Sequence, residues 1–225
     1  MDPHLERIVS ALTAKLRYNV LEAATPCAFV RHNLFKVLYT LTKVRGFATV
    51  IKQFPHEIAD LEPLFIAYTK MPQGEWETRY ILLLWLSLIV INPFELSVVD
   101  SALEGVSLCD RIIAEAKAAL ATAAKVKDGA AILLAKLLTR PDMASSKLAP
   151  FLEYAAETLA KSNDQFLKAG VYMTLASIFQ FGKRDELFDK IPLIFGTAVA
   201  EQKNATTILR KLNVKLVQRI GLTYL

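Results

Sequence analysis

Histidine and cysteine are the residue types here that most readily bind metals or act as nucleophiles. The histidines, His4, His32 and His56, are each more than twenty residues from the next, and Cys27 and Cys109 form no CxxC pair. Zinc sites need such ligands at helical or knuckle spacing, and a reactive thiol needs a nearby His or Arg cluster to lower its pKa. The sequence therefore predicts neither a metal site nor a catalytic cysteine.

Glycines and paired carboxylates are the other candidates for chemistry. The two closest glycines, Gly170 and Gly182, are twelve residues apart. That spacing excludes a phosphate-binding loop, in which neighbouring glycines let backbone N–H groups approach an anion. Asp60 and Glu62 lie near a predicted helix terminus and are interpreted as solvated charges that interact with the helix dipole. We predict no catalytic residue and no cofactor; an enzyme assembled from distant helices stays open as an alternative.

Basic residues are concentrated near the end of the chain. Residues 202–225 contain five basic residues and no acidic one, so the other 22 basic residues equal the 22 acidic residues and this segment carries the formal charge of +5. Lys211, Lys215 and Arg219 recur every four residues and form one stripe on a helix, with Arg210 on the other flank. The stripe is either a solvated edge or a docking strip for an acidic protein. The balanced remainder argues against nucleic acid as a partner.

The last predicted helix also carries an apolar face beside the basic stripe. This face consists of Leu209, Leu212, Leu216 and Ile220. A helical repeat without a following neighbour leaves part of its apolar face uncovered. We therefore expect this face to be partly exposed and to favour weak self-association.

The most apolar segment of the chain lies between Trp76 and Leu96. It contains fifteen residues without a charge, from Tyr80 to Phe94. Within this run, Asn92-Pro93 marks the end of the predicted helix. A membrane-spanning helix requires about 18 to 20 apolar residues, so this run is too short to span a bilayer. Because its apolar side chains point all round a helix, neighbouring elements must cover it on several sides. We predict a helix buried within the protein and no membrane span.

The elements that position these residues are predicted to be helices almost throughout. Only eight Gly and nine Pro occur in 225 residues, among long runs rich in Leu, Ala, Lys and Glu. Asp2-Pro3 and Thr25-Pro26 have the cap-and-proline pattern that opens a helix. Apolar periodicity then predicts ten helices at about 2–20, 25–46, 55–70, 75–91, 107–121, 125–139, 145–161, 163–181, 184–202 and 204–222. Residues 47–54 are a candidate short helix, and residues 92–105 the longest connection.

These helices group into pairs at a regular interval. The second helix of each pair begins 49, 50, 38 or 41 residues after the previous one, which brackets the period of about 40 to 47 residues typical of HEAT and armadillo repeats. We therefore predict an all-α, HEAT/armadillo-type helical-repeat solenoid of about five helix pairs, as a single segment of 1–225. The approximate repeats are 1–46, 55–91, 107–139, 145–181 and 184–223. A compact helical bundle is the alternative.

Three blocks of sequence are more specific than the repeat pattern. They are VLYTLTKVRGFATVIKQFPHEIADLEP from Val37 to Pro63, WETRYILLLWLSLIVINPFEL from Trp76, and LRKLNVKLVQRIGLTYL from Leu209 to the end. Together they resemble the tubulin-folding cofactor D family, also called tubulin-specific chaperone D, whose members are long cytosolic proteins of HEAT-type repeats. The resemblance covers most of the chain and implies that it corresponds to an amino-terminal-region fragment.

The resemblance also implies a function and partners. Family members bind β-tubulin after its release from the chaperonin, join it to α-tubulin with cofactor E, and act with cofactor C to stimulate GTP hydrolysis by tubulin. An Arf-like small GTPase is a further partner of the family. The resemblance thus implies a cytoplasmic, cytoskeleton-associated, non-enzymatic scaffold within a GTPase activator complex. A generic HEAT-repeat adaptor without tubulin affinity is the alternative.

Overall fold

The computed structural model describes residues 4–22, 27–101, 105–201 and 206–224. Within these ranges every element of regular structure is helical. The predicted helix openings at Asp2-Pro3 and Thr25-Pro26 lie outside the described residues. The chain folds as two compact units, residues 1–115 and 116–225. The predicted repeat bounds within one segment of 1–225 stay a prediction.

The first unit is built from five helices and the start of a sixth. These are α1 Leu5–Arg17, which continues as a π-helical turn Tyr18–Glu22, α2 Ala28–Arg45, α3 Phe47–Ile51, α4 Leu61–Lys70, α5 Trp76–Ile89 and α6 Leu108–Ala119. Short 3-10 turns at Ile58–Asp60 and Leu96–Val99 interrupt the connections. Helix α2 packs on α1, α3 and α5, and α4 packs on α5.

The second unit repeats one packing arrangement. Its helices are α7 Val126–Leu138, α8 Pro141–Met143, α9 Ala149–Lys161, α10 Gln165–Phe181, α11 Arg184–Leu187, α12 Ile191–Glu201 and α13 Thr207–Tyr224. Helix α9 pairs with α10, and α12 pairs with α13. The first members of the pairs, α9 and α12, pack on each other, and α10 lies between α7 and α13. Successive helix pairs therefore stack in register within this unit.

The predicted buried helix is confirmed as α5. All seven residues from Tyr80 to Leu86 are buried, and Trp85 has no exposed surface. The Trp85 indole N–H donates a hydrogen bond of 2.6 Å to the Pro55 carbonyl, and its ring meets the Phe54 ring edge-on at 5.4 Å between centroids. Helices α2, α3 and α4 all pack against α5. None of the helices in the described ranges is long and apolar enough to cross a membrane.

A glycine allows the close packing of α10. A Cβ placed on Gly170 would lie 2.7 Å from the carbonyl oxygen of Leu120 and 2.8 Å from its Cβ. Both distances are shorter than non-bonded contacts allow, so a side chain at this position would force the two segments apart. The absence of a side chain at Gly170 therefore sets how closely α10 approaches Leu120.

Two carboxylates expected to be solvated are instead buried ion-pair partners. Asp60 is 4% exposed and Glu62 is 8% exposed, so the interpretation of both as solvated charges is wrong. Arg17 donates to Asp60 from Nε at 2.7 Å and from Nη2 at 2.8 Å. This fork joins α1 to the turn that precedes α4, a contact between residues 43 positions apart that sequence spacing does not show.

Glu62 joins α4 to the long connection and to α6. It accepts hydrogen bonds from the Ser101 backbone N–H at 3.2 Å and from Arg111 Nη2 at 2.8 Å. The Ser101 hydrogen bond, followed by Arg111, holds the pKa of Glu62 below its ordinary value of 4.5. The charged carboxylate is therefore the form that the folded state stabilises.

This arrangement predicts an acid-sensitive contribution to stability. Because the folded-state pKa of Glu62 is depressed, its contribution is fully present above the unfolded pKa of about 4.5 and is lost as the pH falls through the folded value. We expect the Glu62→Gln variant to lose about 1–3 kcal/mol of unfolding free energy at neutral pH. Its unfolding free energy should also fall less steeply below pH 4.5 than that of wild type.

Urea unfolding measured across this pH range tests the prediction. Glu153 is exposed, so Glu153→Gln removes the same charge without a buried contact and serves as the matched control. Equal pH dependence in the Glu62→Gln and Glu153→Gln variants would contradict the assigned role of Glu62.

Candidate protein-binding surfaces

Helix α13 carries the predicted docking strip. Its buried residues, Leu209, Asn213, Leu216, Ile220 and Thr223, recur at three- and four-residue spacing and so lie on one face. Asn213 Nδ2 donates a hydrogen bond of 2.7 Å to the Ala198 carbonyl of α12. This buried contact, with the packing of α13 on α10 and α12, fixes which side of α13 faces the protein.

The expectation that the apolar face of α13 is partly exposed is wrong for three of its four residues. Leu209, Leu216 and Ile220 are 4%, 0% and 2% exposed, and only Leu212 is half-buried. The face packs inward on the preceding helices, so it is not available for self-association. The exposed apolar residues of the helix lie elsewhere, at Ile208, Val214, Leu222 and Tyr224.

The basic residues of α13 lie on its outer side. Arg210, Lys211 and Lys215 are exposed and Arg219 is half-buried. Lys211, Lys215 and Arg219 span about 12 Å along one side of the helix, whereas Arg210 is turned about 100° from Lys211. None of the four forms an ion pair with any residue in the described part of the chain. Their charges are therefore available to an external acidic group.

A second basic segment, which the overall charge balance conceals, includes α2 and extends past α3. Residues 23–56 contain five basic residues, Arg31, Lys36, Lys43, Arg45 and Lys52, and no acidic residue. Lys36, Lys43 and Lys52 are exposed, and they have no ion-pair partner among the described residues. A running count of charge along the sequence would have found this segment, whereas the sum over the whole body did not.

The residues considered for chemistry do not converge in the described part of the chain. No group of three or more His, Cys, Asp or Glu residues there is placed to bind a metal ion. Cys27 is exposed and Cys109 is buried. His32 Nδ1 lies 3.8 Å from Glu75 Oε2, and Thr78 donates to the same carboxylate oxygen at 3.2 Å. His32 thus belongs to a contact between α2 and α5.

A shallow open depression in the first unit contains the remaining candidate, His56. Its volume is about 350 Å³ and it is lined by Ser10, Thr13, Gln53, Phe54, Pro55, His56 and Glu57. His56 Nδ1 lies 3.3 Å from the Phe54 carbonyl. His56 and Glu57 are the two titratable residues in this lining.

Comparison with known proteins establishes the family. A family model described as tubulin-specific chaperone D-like, ARM repeat, matches residues 1–159. The chain belongs to this family. The resemblance stated above is thus confirmed, and the all-α, armadillo-type repeat fold of the chain agrees with it.

Two curated relatives carry the corresponding names. The tubulin-specific chaperone D of Dictyostelium discoideum is 26% identical, over 86% of this chain and 20% of its own length. The tubulin-folding cofactor D of Schizosaccharomyces pombe is 25% identical, over 84% of this chain and 17% of its own length. The chain therefore spans about a fifth of the length of these relatives. No solved structure matches it.

Only one of the two basic surfaces lies within the residues that the family model matches. Helix α2 lies within residues 1–159, which the tubulin-specific chaperone D-like model matches, whereas α13 lies beyond them. The family assignment thus depends on the region that includes α2, and it names no binding residue on α13.

Proposed function

We propose that this chain is a scaffold segment that binds β-tubulin and takes part in assembly and disassembly of the αβ-tubulin heterodimer after chaperonin release. The observation that carries the proposal is the match of residues 1–159 to the tubulin-specific chaperone D-like repeat model. Cofactors C and E and an Arf-like GTPase are proposed partners of the same complex. Its proposed place is the cytoplasm, in association with the cytoskeleton.

The proposed role of the chain is to bind a partner, with no chemistry of its own. Armadillo-type repeats bind through extended surfaces that stacked helices hold in place. In a GTPase activator complex, this segment would position tubulin while residues outside it supply the groups that promote GTP hydrolysis.

The basic stripe of α13, Lys211, Lys215 and Arg219, is the proposed tubulin-facing surface, with Arg210 at its edge. These side chains are without ion-pair partners in the described residues, so an acidic partner gains attraction without competing with an internal carboxylate. Charges at the rim of an interface act mainly on the association rate and on orientation. Binding through this stripe should therefore weaken as salt is added, because exposed charges are screened.

Charge reversal of the stripe tests this assignment. The Lys211→Glu, Lys215→Glu, Arg219→Glu triple variant is expected to bind purified αβ-tubulin about tenfold or more weakly than wild type, because three attractions become repulsions. Pull-down at several tubulin concentrations gives the apparent affinity of each protein.

A matched triple variant separates local from overall charge. Arg7, Lys15 and Lys70 are exposed and are without ion pairs in the described residues, so their replacement by Glu changes the net charge equally. Retained binding by the α13 triple variant would remove the stripe from the interface while leaving the scaffold proposal intact. Loss of binding in both triple variants would indicate a general charge effect.

A further inference from the structure

The outer face of α2 carries a line of exposed valines at a heptad interval. Val30, Val37 and Val44 are 45%, 46% and 71% exposed, and each lies seven residues from the next. A straight helix drifts only about 20° per heptad, so the three side chains follow one line about 21 Å long. Heptad spacing of β-branched residues is the pattern of a helix that packs along another helix.

This line is separate from the face that holds α2 in the protein. The buried residues of α2 are Phe35, Leu38 and Thr42. The Tyr39 ring beside them meets the Trp76 ring edge-on at 4.8 Å between centroids. The valines therefore lie on a different side of α2 from the residues that pack it against α5.

Polar residues lie between the valines along the same side. Asn33 and Thr40 are exposed, and each lies three residues after a valine of the line. They therefore occupy the second of the two positions per heptad that form the seam, the line of contact with a partner helix in a coiled coil. Their side chains bond only to the preceding helical turn, Asn33 to the Phe29 carbonyl and Thr40 to the Lys36 carbonyl, each at 2.9 Å. Polar seam residues lower the stability of a coiled coil and restrict its register, which suits a partner that binds reversibly.

Lysines flank the valine line and specify the charge of what binds there. Lys36 and Lys43 directly precede Val37 and Val44, so they lie at the position that forms interhelical ion pairs in coiled coils. Both are exposed, and neither has an ion-pair partner in the described residues. No acidic residue occurs between residues 23 and 56, so a partner helix with carboxylates beside these lysines would meet no like charge from this segment.

We propose that the outer face of α2, formed by Val30, Val37 and Val44 with Lys36 and Lys43, binds an acidic amphipathic helix of a partner protein. The partner helix places apolar side chains against the valines and glutamate or aspartate beside the lysines. This surface is distinct from the α13 stripe, and the inference does not rest on tubulin binding.

A designed heptad peptide is the probe for this surface. It has leucine at the seam and glutamate at both flanking positions, so it does not self-associate at neutral pH; a matched peptide carries lysine at the flanks. Fluorescence anisotropy of each labelled peptide is measured with the full chain. We expect the glutamate peptide to bind and the lysine peptide not to bind. No binding of the glutamate peptide, or equal binding of both, would overturn the proposal.

Variants of α2 localise the binding. Val37→Ser with Val44→Ser should weaken the glutamate peptide about tenfold or more, because apolar contact is lost at two exposed positions. The control Val199→Ser with Val214→Ser removes two valines that are 50% and 62% exposed on α12 and α13 and should leave binding unchanged. Thermal unfolding of each variant establishes that it is folded.

Reversing the charge of the α2 lysines should create binding to a new peptide, and a misfolded variant would not gain such binding. Lys36→Glu with Lys43→Glu should abolish binding of the glutamate peptide and create binding of the lysine peptide. The Arg7→Glu, Lys15→Glu, Lys70→Glu triple variant, whose changes lie outside both basic surfaces, should bind the glutamate peptide as wild type does. Loss of binding in the α13 variant with retention in the α2 variants would place the acidic helix on α13 and overturn the inference.

Discussion

Replacing Trp85 by alanine should lower the free energy of unfolding by about 3–5 kcal/mol, the range for truncation of a large buried aromatic residue. Trp85 has no exposed surface, and its indole N–H donates to the Pro55 carbonyl. The variant would leave a cavity between α5 and the residues that pack on it, and the Pro55 carbonyl would lose its donor. Urea unfolding followed by circular dichroism measures the loss.

Trp76 is the matched control for this experiment, because it is the other of the two tryptophans in the chain. It begins α5, is half-buried and meets the Tyr39 ring edge-on. Trp76→Ala removes the same side chain from a partly solvated site and should cost markedly less. An equal or larger loss at Trp76 would contradict the placement of Trp85 at the centre of the first unit.

Replacing Gly170 by leucine should destabilise the second unit by about 3 kcal/mol or more, at or above the upper end of typical overpacking costs. The first atom of the new side chain would already lie 2.7 Å from the Leu120 carbonyl oxygen. That neighbour is backbone and cannot rotate away, so α10 would have to shift between α7 and α13. Thermal and urea unfolding of the full chain measure the change.

Gly196, within α12, provides a control of opposite sign. Apart from its chain neighbours and the adjoining backbone of α12, no described atom lies within 4 Å of a Cβ placed on Gly196. Leucine there adds helix propensity without a clash and should stabilise by up to about 1 kcal/mol. Stabilisation or no change at Gly170 would show that α10 does not approach Leu120 as closely as the structure has it.

The helices and the burial of α5 could be predicted from the sequence because both depend on local patterns. The charge-free run from Tyr80 to Phe94 was too short for a membrane and too apolar for a surface helix. Each of the ten predicted ranges contains a helix in the part that the structure describes. The predicted helix at 184–202 is divided, since a 3-10 turn Phe188–Lys190 separates α11 from α12.

The errors came from contacts between residues distant in sequence. Asp60 looked like a solvated charge because Arg17, its partner, lies 43 residues away. Leu216 and Ile220 were expected to be partly exposed, yet they are buried on α13, which packs on α10 and α12. Periodicity identifies an apolar face but does not tell which neighbour covers it.

The candidate binding surfaces could be predicted only in part. The stripe of Lys211, Lys215 and Arg219 could be identified from the sequence because the entire formal net charge of +5 lies in residues 202–225. Lys36 and Lys43 were missed because acidic residues elsewhere cancel them in the total. The exposure of Val30, Val37 and Val44 depends on which side of α2 faces α5, and a heptad pattern alone does not distinguish a buried line from an exposed one.

The proposed binding of tubulin by this chain is open to a direct titration. The labelled chain is titrated with purified αβ-tubulin at low and at physiological ionic strength, and binding is followed by fluorescence anisotropy. We expect saturable binding that weakens as salt is raised, because the proposed basic surface meets an acidic partner. The absence of saturable binding at both ionic strengths, with the chain folded, would contradict it.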